Sequence, residues 1–220
     1  MKKLLIFLVI VFLSLSFVKT KADCPPGYTQ HTLATVYSYS TPETEYTCHV
    51  MIVYCCKWDN NLKKIVIEVD FIFTTYSYHC LALIPDENHF SAWLHNAIAS
   101  DAKNFCSPPY PPCDDNNNPY YIAEINIAGC WYYKNWQPYY PDDVYGLWRF
   151  PCKNSNYKCR SIWKICMDYN VTPPEPRKIL ISKTPVSDDH YCHHPVPQMP
   201  PPGKTWDEYW ETDCFSTECN

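Results

Sequence analysis

The densest group of potential metal ligands in the chain is Asp188, Asp189, His190, Cys192, His193 and His194. Imidazole, thiolate and carboxylate are the usual donors to zinc and copper. Adjacent histidines rarely converge on one tetrahedral ion, and Cys192 is expected in a disulfide, so the segment reads as a solvated loop. Asp114, Asn116 and Asn118 match the opening of a calcium loop, but Pro119 stands where the loop needs glycine and Ile125 where it needs glutamate. Cys48-His49 and Cys192-His193 lack the partner cysteine of covalent haem attachment. His89 and His95 do not have zinc-protease spacing, and no G-x-S-x-G is present. Glu68 and Asp70 fall on one side of an expected strand, about 7 Å apart, a separation compatible with glycoside hydrolysis. The same alternation describes the solvent side of any amphipathic strand. The sequence therefore assigns no catalytic residue, no metal ligand and no cofactor.

The strongest binding candidate is aromatic. Trp131, Tyr132, Tyr133, Trp136, Tyr139, Tyr140, Tyr145 and Trp148 fall within 18 residues. Exposed, such rings stack on sugars or anchor a protein partner; buried, they fill a core.

The elements that position these groups follow from periodicity. Tyr28 to Tyr39, Glu45 to Trp58 and Leu62 to Thr74 read as strands. In the last, Ile65, Ile67, Val69, Phe71 and Phe73 alternate with Val66, Glu68, Asp70 and Ile72. Asp59-Asn60-Asn61 is a turn signal, so the second and third strands form a hairpin, whose long apolar edges are suited to strand addition. Asp86 caps a helix expected to run to about Asn104, with Phe90, Trp93, Leu94, Ala97 and Ile98 as the stripe that faces the sheet. Tyr120 to Ala128, Tyr157 to Tyr169 and a short Lys178 to Lys183 segment are further strands, whereas Trp131 to Phe150 reads as irregular. The expected fold is α+β: a disulfide-rich antiparallel sheet of about five strands, one packed helix and an irregular proline-rich C-terminal arm. The domain boundaries are 1–22 for a signal peptide, 23–184 for the stapled domain and 185–220 for the arm.

The signal reading rests on Lys2 and Lys3 ahead of an apolar run, Leu4 to Phe17, which is too short to span a bilayer comfortably. The whole chain carries a net charge of −5, and loss of Lys2, Lys3, Lys19 and Lys21 leaves 14 basic residues against 23 acidic, a net −9. That balance disfavours nucleic acid. No transmembrane segment is expected after signal removal. All 14 cysteines lie beyond the signal, and an even number in an exported chain implies seven disulfides.

The order of several motifs is also informative. Cys24-Pro25-Pro26-Gly27-Tyr28 opens the mature chain, followed by C-x-V-x-I-x-Y-C-C from Cys48 to Cys56. Gly129-Cys130-Trp131, Pro151-Cys152 and the C-x6-C-x6-C of Cys152, Cys159 and Cys166 follow. This order, spanning Cys24 to Asp168, resembles a group of secreted cysteine-rich bacterial proteins of unknown function. The resemblance implies export and fold, and carries no catalytic residue.

Strand geometry limits the pairing of the cysteines. Cys48 and Cys55, like Cys159 and Cys166, lie seven residues apart in expected strands, about 23 Å, whereas a disulfide requires Cα atoms within about 7 Å. Neighbours Cys55 and Cys56 point to opposite faces and should serve different bridges. Intervening turn chemistry favours Cys106–Cys113, Cys152–Cys159 and Cys214–Cys219. Cys24, Cys48, Cys55, Cys56, Cys80, Cys130, Cys166 and Cys192 then remain, with about 105 connectivities open.

These readings together describe a secreted or cell-surface, non-enzymatic structural or interaction protein, a candidate subunit of an extracellular assembly, with itself, a surface protein or a glycan as partner. The alternative is a carbohydrate-binding module built on the aromatic stretch; a secreted hydrolase stands third. Open strand edges favour assembly, an aromatic platform favours glycan, and a polar cleft with converging carboxylates favours the hydrolase.

Overall fold

The computed structural model describes residues 24–43, 45–74, 80, 84–102, 105–113, 120–136, 146–187, 192 and 195–219. The expected signal segment, residues 114–119 and the histidines of the Asp188–His194 cluster lie outside the described residues. Strands β1 (Thr29–Ser40), β2 (Glu45–Asp59) and β3 (Lys64–Phe73) form an antiparallel meander. Helix α1 (Glu87–Asp101) follows, then β4 (Tyr121–Ala128), β5 (Cys130–Trp136), β6 (Gly146–Pro151), β7 (Lys158–Asp168) and β8 (Glu175–Pro185). The arm adds two short strands, β9 (Trp210–Glu211) and β10 (Phe215–Ser216).

All ten belong to one sheet that forks at β3. Lys64 to Glu68 pair with β4, which continues through β7 to β8; Ile72 and Phe73 pair with β6, which leads to β5. The β3–β4 pair is parallel and the other pairs are antiparallel. Parallel neighbours need a long crossover, and the segment carrying α1 is that crossover. Gly129 marks the joint where β4 passes into β5. A Cβ there would lie 2.2 Å from Tyr157 Cδ1, so the tyrosine ring occupies the space of a side chain.

Several sequence expectations are corrected. The described parts of Trp131 to Phe150 are not irregular: they form β5 and β6, whose aromatic residues find cross-strand partners that a linear reading does not supply. The short Lys178–Lys183 strand is the centre of an eleven-residue one, β8. The arm is not wholly irregular, since β9 and β10 cover the outer side of β5. Both edges of the β2–β3 hairpin are covered, by β1 on one side and by β4 and β6 on the other, so it offers no edge for strand addition.

Helix α1 lies on one face of the sheet, as its stripe implies. Asp86 caps it, accepting bonds from the Asn88 and His89 amides at 2.9 and 3.0 Å. The buried side chains are Phe90, Ser91, Leu94, His95, Ile98 and Ala99. The buried face is therefore turned from the expected stripe, with Ser91, His95 and Ala99 inside and Trp93 at its margin. Beneath the helix lie Tyr37, Ile52, Tyr54, Ile65, Ile67, Ile72, Ile125, Trp131, Tyr133 and Phe215, all in one core. Leu94→Ala is expected to cost about 2–5 kcal/mol in a urea unfolding titration. A loss under about 0.5 kcal/mol would mean that this face is exposed.

The alternation expected for β3 breaks at Asp70. Val69 pairs with Tyr54 but Phe71 with Val53, so Asp70 is the extra residue of a β-bulge. The shift of one residue returns Ile72 to the helix core and sends Phe71 to the opposite face.

Seven disulfides account for all the cysteines: Cys24–Cys55, Cys48–Cys80, Cys56–Cys106, Cys113–Cys166, Cys130–Cys192, Cys152–Cys214 and Cys159–Cys219. Cys48–Cys55 and Cys159–Cys166 bridges are absent, and Cys55 and Cys56 serve different bridges, as strand geometry requires. The three local pairs expected from turn chemistry do not form. Each of those six cysteines instead reaches a distant element, with separations of 50 to 62 residues. The last three bridges clip the arm to the sheet. Among the described residues no helix is long and apolar enough to cross a membrane.

Candidate functional site

The aromatic stretch divides between the two faces of the sheet. Trp131 and Tyr133 are buried beneath α1. Tyr132 and Trp148 lie on the helix-free face; the Trp136 side chain, Tyr139, Tyr140 and Tyr145 lie outside the described residues. On that face Phe73 stacks on Trp148 at 4.5 Å, Trp148 on Phe150 at 5.9 Å and Phe150 on Tyr132 at 5.6 Å, with Phe71 leaning on the stack. Sequence reasoning missed Phe71, Phe73 and Phe150 as members, because only the bulge at Asp70 turns the first two to this side.

Beside the stack, on β3, β4 and β7, lies a polar network. Lys158 binds Glu68 at 2.7 Å, and Asn126 Nδ2 donates to Glu68 at 3.1 Å and to Glu124 at 3.3 Å. Arg160 donates to Asn126 Oδ1 at 3.0 Å and lies 3.3 Å from Glu124, which also pairs with Lys64. Burial pushes the Glu124 carboxyl up, but hydrogen bonds from Lys64 and Asn126 and the charges of Lys64 and Arg160 hold it below the ordinary glutamate value. Both carboxylates are ion-paired. Glu124 is therefore not held protonated, as a general acid would need to be. The carboxylate joined to Glu68, through Asn126, is thus Glu124.

Two clusters on the helix face mimic reactive centres. His95 Nδ1 lies 2.6 Å from Ser161 Oγ, which accepts from Trp163 Nε1 at 2.8 Å. Ser161 is fully buried, so no acyl group can reach its hydroxyl. Burial, with a smaller contribution from Lys183, depresses the His95 imidazole to about 3 and keeps it neutral. The second cluster is His31, Cys56 and Cys106, whose donor atoms lie within 4.8 Å of one another. Both sulfurs are spent in one disulfide, so the group is not a metal site. His31 stacks on Phe105 at 4.9 Å instead. A cleft of about 510 Å³ is lined by Cys152, Asn154, Ser155, Cys192 and Cys214, and none of these groups can act as an acid or base.

Comparison with known family models, curated proteins and solved structures finds no match.

Two long strands, β1 and β8, have a strand neighbour on one side only, and β8 is the one with consecutive exposed aliphatics. β8 pairs with β7 on one side, and no described strand covers the other. Ile179, Leu180 and Ile181, in the middle of this strand, are 54, 46 and 50% exposed. Three consecutive large aliphatics half in water are unusual on a soluble surface. A second register shift explains the arrangement. Ile162 faces Ser182 and Trp163 faces Leu180, so Ile181 is the extra residue of a bulge. Arg177, Lys178 and Lys183 flank the apolar centre. Lys178 reaches α1, where it binds the Asn96 side chain at 2.7 Å and contacts Ser100. The helix thereby holds the edge in place.

Proposed function

We propose that the protein is an exported, disulfide-locked interaction protein that acts through a sheet edge, as a component of an extracellular or cell-surface assembly. The observation that carries this reading is the open edge of β8 with Ile179, Leu180 and Ile181 half exposed along it. An uncovered apolar strand edge is a template for pairing with another chain. Natural monomers blunt such edges with charge or proline. Here the charges and the two prolines, Pro176 and Pro185, sit toward the ends and leave the centre bare. The seven bridges suit a component that must persist in an oxidising medium. The test is retention of labelled protein on the cells that export it. Wild type should be retained, and Ile179→Lys with Ile181→Lys should wash off at unchanged thermal stability. Equal retention of the two proteins would overturn the reading.

The ring stack of Phe73, Trp148, Phe150 and Tyr132 on the helix-free face supports a second reading, a carbohydrate-binding module. Aromatic faces with neighbouring amide and charged groups are the chemistry of sugar recognition. Retardation on polysaccharide affinity gels, lost in Tyr132→Ala, would favour it over the edge.

A further inference from the structure

The register places two segments of opposite charge along one flank of the sheet. β7 and β8 lie beyond β4, while β10 and β9 lie beyond β5 on the same side, since β4 runs directly into β5 at Gly129. The Thr217 amide donates to the Gly129 carbonyl, and Cys219 is bonded to Cys159 at the start of β7, which joins the two halves end to end. The lower half is basic: Lys158 and Arg160 are spent on Glu68 of β3 and Glu124 of β4, and residues 164–185 still hold Lys164, Arg177, Lys178 and Lys183 against Asp168, which pairs with Arg177, and Glu175. The upper half is acidic: residues 195–219 hold Asp207, Glu208, Glu211, Asp213 and Glu218, all exposed, against Lys204 at Glu208 and Lys134 of β5 at Glu211.

The two segments match in pattern as well as sign. β8 reads Arg177-Lys178-Ile179-Leu180-Ile181-Ser182-Lys183, an apolar centre between cations. The arm reads Asp207-Glu208-Tyr209-Trp210-Glu211-Thr212-Asp213, an aromatic centre between anions. Trp210 turns into the core, which leaves Tyr209, 54% exposed, on the outside. Within one molecule the halves lie end to end and cannot face each other. A second copy turned by a two-fold axis across this flank sets each basic half against the other's acidic half. That is the self-complementary contact of an isologous dimer.

We propose that the protein self-associates across this flank, the β8 edge of one copy seating against the Asp207–Asp213 segment of a second. The inference rests on the reading of β8 as a partner edge and names the partner. Apolar contact between Ile179–Ile181 and Tyr209 supplies the centre, and opposite charges at the rim set register and exclude like-on-like pairing.

Charge exchange tests it, read by analytical ultracentrifugation of the oxidised protein. Wild type should dimerise at low ionic strength and weaken as salt rises. Arg177→Glu with Lys164→Glu, and separately Glu208→Lys with Asp213→Lys, should each weaken dimerisation about tenfold or more. An equimolar mixture of the two variants should recover the dimer, because each reversed half meets its reversed complement. That recovery also shows that both variants are folded. An arm variant that dimerises like wild type while the β8 variant does not would mean that β8 pairs with β8, and would overturn the proposal but not the edge reading. Dimers indifferent to both reversals would overturn both. A protein that stays monomeric at low salt and high concentration would overturn the proposal, while retention of wild type on the exporting cells, lost in Ile179→Lys with Ile181→Lys, would leave the edge reading standing.

Discussion

Glu87→Ala is expected to cost about 3–5 kcal/mol of folding stability, although the residue lies at the first position of a helix and its side chain is partly exposed. The reason is Arg149 on β6, only 2% exposed. Its guanidinium lies 4.8 Å from the Trp131 ring, 5.3 Å from Phe215, 5.5 Å from Phe90 and 5.7 Å from Tyr133. Aromatic faces attract a cation but do not replace a counter-ion, and the bond from Arg149 to Glu87 at 2.9 Å supplies that. Without Glu87 the charge is buried and uncompensated. The double replacement Glu87→Leu with Arg149→Met should recover most of the loss, because removing both charges also removes the desolvation penalty. Urea titrations of the three proteins decide the matter. A loss below about 1 kcal/mol for Glu87→Ala would show that water reaches the guanidinium. Phe215 belongs to the arm, so this cluster also fastens the arm to the helix.

Acid should destabilise the protein through His95 well before its carboxylates titrate. The folded imidazole is held at about 3, against an ordinary value of 6.5. Between these values the unfolded chain binds a proton that the folded chain refuses, so stability falls as pH falls. The contribution is fully present above about pH 6.5, is reduced by about 3 kcal/mol at pH 4 and is exhausted near pH 3. The facing groups are Ser161 and Trp163 on β7 and Lys183 on β8, and none of them supplies a negative charge. Glu124, held below the ordinary glutamate value of 4.5, adds a further loss in the same direction that begins within the lower part of the His95 window. His95→Gln should be less stable than wild type at pH 7 but lose less between pH 7 and pH 4. Parallel pH profiles for the two proteins would show that His95 is accessible to protons when folded.

Much of the frame was legible in the residues because its causes are local. Asp86 caps α1 through its own side chain, and Asp59-Asn60-Asn61 turns β2 into β3. The rise of an extended chain alone ruled out Cys48–Cys55 and Cys159–Cys166, and the pleat alone separated Cys55 from Cys56. The ring stack was half legible: Trp148 and Tyr132 stood out by composition, while Phe71 and Phe73 were assigned to the wrong face. Nothing in the order of residues marks Asp70 as a bulge, since the bulge comes from fitting β3 between β2 and two different partners. The cysteine pairings were lost for a similar reason. Turn chemistry ranks near neighbours, whereas the bridges join residues brought together across strands, with separations up to 62.

By itself, then, the sequence determined the local conformations, the abundance of staples and the charge of each segment, because these depend on side chains and their immediate neighbours. Tertiary structure alone decided which cysteines meet, which face Phe71 presents and that Arg149 lies in a box of rings closed by the arm. It also set the basic β8 and the acidic Asp207–Asp213 segment on one flank. Each of these depends on strand register, and register is a property of the assembled sheet that no single strand carries.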